Sequence, residues 1–104
     1  MVRIKDSSHI PQWLEWMRNV HIPHVMKTGY PLEGSGKIYS VKEMDTSDNT
    51  MYCIDYHFLS EEQLKKYRAE HGAKLGQEYT DEGWAAKTEV TRFTVTTVTM
   101  PSAN

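Results

Sequence analysis

The chain has 104 residues, with 12 basic against 14 acidic side chains and a formal charge of −2. That length makes a single domain, residues 1–104, which buries only about two-thirds of the surface its unfolded form exposes, so the core is modest and dimerisation would add to it. No run of like charge is longer than two residues, which argues against a nucleic-acid footprint or a polybasic membrane patch. Met1-Val2-Arg3-Ile4-Lys5 lacks the apolar core of a secretory leader, and nothing later approaches the roughly 20 apolar residues that cross a bilayer. A cytosolic protein with no nucleic-acid and no membrane partner is expected. Cys53 is the single cysteine, so an intrachain disulfide and a cysteine-cluster metal site are excluded, and its place in a strand-like run suits a reduced, half-buried thiol.

In chain order, Val2 to Lys5 is a short extended segment. Asp6-Ser7-Ser8 then offers capping oxygens ahead of Pro11, a residue suited to the first turn of a helix. Ile10, Trp13, Leu14, Met17 and His21 recur at threes and fours, the spacing of an amphipathic helix, while Gln12, Glu15, Arg18 and Asn19 take the other faces. Pro23 lacks a donor and crowds the preceding turn, which predicts a break or kink. The helix restarts over Pro23-His24-Val25-Met26 and stops at Gly29.

Tyr30 to Gly36, with one proline and two glycines, reads as a loop before a strand over Lys37 to Met44. Asp45 to Asn49 is a polar turn. The next run, Thr50 to Phe58, sets Tyr52, Ile54, Tyr56 and Phe58 on one face and Met51, Cys53, Asp55 and His57 on the other, so the two runs pair as a hairpin. Ser60-Glu61-Glu62-Gln63 is a capping box and opens a second helix, whose stripe is Leu64, Tyr67, His71, Leu75 and Tyr79. Gly72 and Gly76 each weaken it by about 1 kcal/mol relative to alanine. Thr88 to Thr99 is rich in threonine and valine and reads as a strand, and Pro101-Ser102-Ala103-Asn104 as a short tail.

The order is strand, helix, strand, strand, helix, strand. That is the α+β, ferredoxin-like βαββαβ arrangement, one antiparallel sheet with two helices on one face. Its other face carries apolar side chains and needs a cover, which predicts a homodimer through the sheet faces, a dimeric α/β barrel.

The run from Trp13 to Gly29 resembles the first-helix signature of an uncharacterised bacterial domain-of-unknown-function family in the dimeric α/β-barrel superfamily. Tyr52 to Tyr56, the Tyr67, His71, Leu75 helix and Arg92-Phe93-Thr94 fit the same family's later pattern, so the resemblance covers nearly the whole chain. It implies the fold and brings no activity with it. The chain departs from the pattern at His24, where an acidic residue is expected. The superfamily includes cofactor-independent monooxygenases, polyketide cyclases and haem-degrading enzymes, and fold alone does not choose among them.

Three functional readings follow from the residues. In the first, the inner helix stripes bring His21, His71 and Tyr67 to one sheet surface with Arg92, around a small organic ligand lined by Trp13, Met17, Trp16 and Tyr56 and with no cofactor. A histidine titrating near neutrality moves protons, and a tyrosine hydroxyl or an arginine steadies an oxyanion, which suits enolisation, cyclisation or oxygenation of a phenolic or β-dicarbonyl compound. The competing structural account makes His21 a cap at the Pro23 break, His71 a hydrogen-bonded core residue, Tyr67 core and Arg92 a salt-bridge partner. In the second, His21-x-x-His24 with Asp55 and His57 holds a metal, although no third ligand is set by spacing and a structural zinc normally takes four. His9 and His57 otherwise read as solvent-facing or sheet-surface residues. In the third, the domain is a non-catalytic dimeric interaction module with Trp13, Trp16 and Trp84 as anchors.

Overall fold

The computed structural model describes residues 1–44 and 47–98. Its strands are β1 (Val2–Ile4), β2 (Lys37–Val41), β3 (Met51–Asp55) and β4 (Thr88–Val90), joined in one sheet of order β2-β3-β1-β4. Every neighbouring pair is antiparallel. Helix α1 (residues 10–27) connects β1 to β2, and helix α2 (residues 61–81) with the short α3 (Trp84–Lys87) connects β3 to β4.

The register decides which side chains share a face. Val2 lies opposite Tyr52 and Val90, Ile4 opposite Thr88, and Ile38 opposite Ile54, so these residues point together towards the helices. There Val2 and Ile4 meet Trp13, Met17, Ile22 and Trp84 to form the core, with Tyr52, Ile54, Tyr56 and Tyr79 packed against it. The alternation expected of the Thr50 to Phe58 run is seen in that set. The opposite face carries Arg3, Lys37, Tyr39, Val41, Met51, Cys53, Asp55 and Glu89, and no helix of the described residues covers it.

Helix α1 does not break at Pro23. It runs as α-helix over Ile10–Trp16, widens to a π-turn over Met17–His21, and continues as α-helix over Ile22–Lys27. Ile22 donates to the Met17 carbonyl, five residues back, and this wider turn immediately precedes the proline ring that a regular helix would crowd. The extra residue also shifts the apolar stripe, so that Met17 is followed into the core by Ile22 and then Val25. His21 is thereby turned from the centre of the stripe to its border. Gly29, with φ of 81°, follows the Thr28 cap as the expected stop.

Helix α2 repeats the device. Ser60 accepts from the Gln63 amide and opens the expected helix over Glu61–Tyr67, a π-turn follows over Arg68–Gly72, and α-helix resumes over Ala73–Asp81. His71 stands in that second π-turn and is left half-exposed. The loop at Tyr30 to Gly36 is tied to the end of β3 by the Gly36 amide on the Asp55 carbonyl and the Leu32 amide on the His57 carbonyl. Gly36 has φ of 78°, and a Cβ there would stand 2.9 Å from Met26 Sδ, so only glycine lets the loop lie against α1.

The strands are shorter than the sequence predicts. Lys37 to Met44 pairs only to Val41 and Thr50 to Phe58 only over Met51–Asp55, with an isolated bridge from Phe58 to Pro31. In the expected turn, Asp45 and Thr46 lie outside the described residues. Asp48 takes the Thr50 amide and hydroxyl together with Arg3, and these bonds hold its carboxyl down at about 2. The largest departure is at the end of the chain. Thr88 to Thr99 is expected as one strand, but β4 ends at Val90, Thr91 still exchanges hydrogen bonds with Met1, and residues 92–98 form an exposed stretch without strand pairing. Sequence composition supplied strand propensity there, whereas a ladder needs a neighbour, and β1 offers its last pairing at Val2. Thr99 and the tail of residues 101–104 lie outside the described residues. Helix α3 at Trp84–Lys87 was not expected.

Candidate functional site

The π-turn in α1 aims His21 at α2. Its ring stacks on Trp16 with centroids 5.1 Å apart and meets the edge of Tyr79 at 5.8 Å. Its Nδ1 lies 3.7 Å from Glu78 Oε1, an ion-pair distance too long for a hydrogen bond, and that nitrogen is buried without a hydrogen-bond partner. His24, one turn on, takes the Glu78 carboxylate directly, with Nδ1 at 2.9 and 3.0 Å from its two oxygens. One carboxylate of α2 therefore faces two imidazoles of α1.

Nearer the start of α2 stands a ring cluster. Tyr67 packs against Phe58 at 5.5 Å and Tyr30 at 6.4 Å, and His71 lies 5.8 Å from Tyr30 and 6.3 Å from Tyr67. The Tyr30 hydroxyl donates to Glu70, a bond that raises the phenol's pKa. Burial raises Tyr67, and burial with the neighbouring Tyr67 pushes Tyr56 well above the ordinary phenol range. The Tyr56 hydroxyl, like His21 Nδ1, is buried without a partner.

Arg92 follows β4 on an exposed segment, and its positive charge acts to lower the pKa of both His21 and Tyr67. Of the other residues expected to act chemically, His21 packs with Trp16 and Tyr79, whereas Tyr67 and His71 pack with Tyr30, so the structure places them in two ring clusters. The residues expected to contact a ligand divide. Trp13 and Met17 are core, at 0% and 3% exposure, whereas Trp16 and Tyr56 remain partly accessible.

Glu78, Tyr79 and Tyr30 were missed as site residues. Tyr79 was on the stripe, but nothing local marks Glu78 as the partner of a histidine 54 positions earlier. His57 is largely exposed and pairs with Asp55 at 3.0 Å, as a sheet-surface residue, while His9 is partly buried rather than solvent-facing. No three His, Cys, Asp or Glu side chains among the described residues are grouped to hold a metal. Two surface concavities lie elsewhere, neither lined by His21, Tyr67, His71 or Arg92. One of about 220 Å³ runs along α1 between Gln12, Trp16 and Val20, and the other, of about 210 Å³, lies between Leu32, Lys37, Tyr39 and His57.

The burial of His21 carries a pH dependence. Desolvation is the largest influence and lowers its pKa below the ordinary 6.5; Glu78 opposes this, and the positive charges of His24 and Arg92 reinforce it. The unfolded chain therefore takes up the proton first as pH falls. This contribution to stability is fully present above about pH 6.5 and is lost as pH drops through the interval between the unfolded and folded values. Urea midpoints measured from pH 7.5 to 5 should fall with pH, and His21→Phe should flatten the trend. An unchanged slope in His21→Phe would assign the titration elsewhere.

A family model matches residues 2–96, that of a domain of unknown function, DUF4286. The chain belongs to this family. The match spans both histidine-bearing helices, all four strands and Arg92, so the whole candidate site lies inside the DUF4286 domain. No curated protein and no solved structure matches the chain. No described helix is long and apolar enough to cross a membrane.

Proposed function

We propose that this DUF4286 domain is a cytosolic, ferredoxin-like member of the dimeric α/β-barrel superfamily that binds a small anionic organic molecule, phenolic or β-dicarbonyl in character, beside His21, Tyr67 and Arg92. The observation that carries the reading is the pair of buried polar atoms without a hydrogen-bond partner, His21 Nδ1 and the Tyr56 hydroxyl, with the charge of Arg92 acting on His21 and Tyr67. Arg92 supplies the charge that binds the anion, and the rings of Tyr67, Tyr30 and His71 supply apolar contact. The Tyr56 hydroxyl is an idle donor, a buried polar group of the kind that calls for a partner. The strand order β2-β3-β1-β4, with helical crossovers from β1 to β2 and from β3 to β4, supports the ferredoxin-like assignment. The half-buried patch of Val41, Met51 and Cys53 on the open face, beside the exposed Tyr39, supports a homodimer through the sheets.

A catalytic version of the site is favoured by His21, whose Nδ1 is buried without a hydrogen-bond partner and whose burial lowers its pKa. A neutral imidazole at physiological pH accepts a proton from an enolisable carbon while Arg92 holds the enolate oxygen, as a cofactor-free cyclase or monooxygenase requires.

The test is an NMR titration of the full chain with salicylate, catechol and acetylacetone. Saturable shifts of the His21 and Tyr67 ring signals are expected with at least one of them, weakened about tenfold or more by Arg92→Ala, since a charge-assisted hydrogen bond is worth about 1.5–3 kcal/mol. Tyr56→Phe should leave the fold intact and weaken the same binding. No saturable shift at millimolar concentration, or shifts that Arg92→Ala leaves unchanged, would overturn the reading.

A further inference from the structure

The carboxylate of Glu78 is contested by two imidazoles. Its Oε1 lies 2.9 Å from His24 Nδ1 and 3.7 Å from His21 Nδ1, while Oε2, at 3.0 Å, also faces His24. The two histidines stand three residues apart on α1, a spacing that puts both on the side facing this one residue of α2. They differ in freedom. The His21 ring stacks on Trp16 with an interplanar angle of 19° and meets the edge of Tyr79, and its side chain is 14% exposed, whereas that of His24 is 48% exposed. A ring packed between two others keeps its place, so the group free to travel is the carboxylate. Closing on His21 asks of it only the step from 3.7 Å to about 2.9 Å, an ordinary hydrogen-bond length.

His21 has a use for that carboxylate. Its Nδ1 is buried with no hydrogen-bond partner, an uncommon condition for a polar atom in a folded chain. A lone pair on Nδ1 would face the negative Oε1 and be repelled; a proton there is attracted, and the lone pair then belongs to Nε2. A carboxylate behind one ring nitrogen fixes the tautomer and strengthens the other nitrogen as a base.

We propose that Glu78 is the positioning residue of His21, holding its proton on Nδ1 and its lone pair on Nε2, and that His24 regulates it by competing for the same carboxylate. This control rests on the reading of His21 as a base. A protonated His24 makes a charge-assisted bond and keeps Glu78 to itself, whereas a neutral His24 holds it less strongly and lets Oε1 close on His21. The base is therefore supported while His24 is neutral and disarmed as acid charges it. The titratable and charged groups around His21 among the described residues are His24 of α1, Glu78 and Tyr79 of α2, and Arg92 after β4. Burial is the largest influence on the His21 pKa and lowers it; Glu78 raises it, and His24 and Arg92 lower it, which are the signs that competition for Glu78 requires.

The test is a nitrogen–proton NMR titration of the histidine rings in the full chain without ligand, with the His21 signals assigned by His21→Phe. Glu78→Gln, equal in size and uncharged, should lower the His21 pKa by about half a unit or more and abolish the preference for a proton on Nδ1. His24→Ala should raise it by about half a unit or more and leave neutral His21 protonated on Nδ1. Made together with Glu78→Gln, the same His24→Ala change should move it by less than about half as much, because no carboxylate is left to release. An equal rise in both backgrounds would show that His24 acts through its own charge and would overturn the competition. A His21 pKa and tautomer indifferent to Glu78→Gln would overturn the positioning role. Either failure is separate from the ligand-binding reading, which stands or falls on Arg92→Ala.

Discussion

Trp13→Ala is expected to lower the free energy of unfolding by ~3–5 kcal/mol, a large share of what a domain of this size possesses. Trp13 is completely buried and is central to the core cluster, with Tyr52 tilted against it at 5.3 Å and Val2, Ile4, Met17 and Trp84 in the same cluster. It touches both layers, so its removal opens a cavity that cannot close without moving a helix relative to the sheet. Its indole nitrogen also donates to Tyr79, and alanine forfeits that bond. Urea unfolding followed by circular dichroism, which does not depend on the deleted fluorophore, measures the loss. A cost below about 1.5 kcal/mol would show that the site collapses freely and that the helix–sheet interface is held elsewhere.

Tyr79→Phe should cost ~1–3 kcal/mol for the deletion of a single oxygen, because that oxygen is the middle of a directed chain. The Trp13 indole donates to the Tyr79 hydroxyl at 3.2 Å. Thr88 donates its only hydroxyl hydrogen to the Trp84 carbonyl at 2.7 Å, so it must accept from Tyr79, also at 2.7 Å. The order Trp13, Tyr79, Thr88, Trp84 ties α1, α2, the start of β4 and α3 together. Phenylalanine fills the same volume but strands a buried indole N–H and removes the donor to a buried threonine. Tyr30→Phe is the matched control, since its hydroxyl donates to Glu70 in exposed surroundings. Similar losses in the two variants, measured by urea unfolding, would sink the claim that the chain of bonds acts as a fastener.

Local periodicity carried much of the architecture. The three-and-four spacing from Ile10 to Met17, the Ser60 capping box and the alternation from Tyr52 to Tyr56 each report a backbone period, and the structure forms helix, helix and strand at those places. Periodicity failed where one residue was added to the helical count. His21 and His71 sit at stripe positions only if both helices are regular, and the π-turns at Met17–His21 and Arg68–Gly72 hand those positions on. A proline two residues after His21 marks the first turn in hindsight. In the second, Gly72 closes the turn.

What the sequence by itself determined is therefore the two long helices, the places where the four strands start, their order and most of their apolar residues, because those depend on propensities and periods within a few neighbouring positions. The tertiary structure alone decided the polar pairings and the fate of the last strand. Glu78 meets His21 and His24, Tyr79 bridges Trp13 and Thr88, and the charge of Arg92 acts on His21 and Tyr67, all across separations that no local pattern encodes. Residues 92–98 make the same point from the other side. Their composition favours a strand, but a strand exists only where a neighbour offers hydrogen bonds, and within one chain β1 offers them no farther than Thr91.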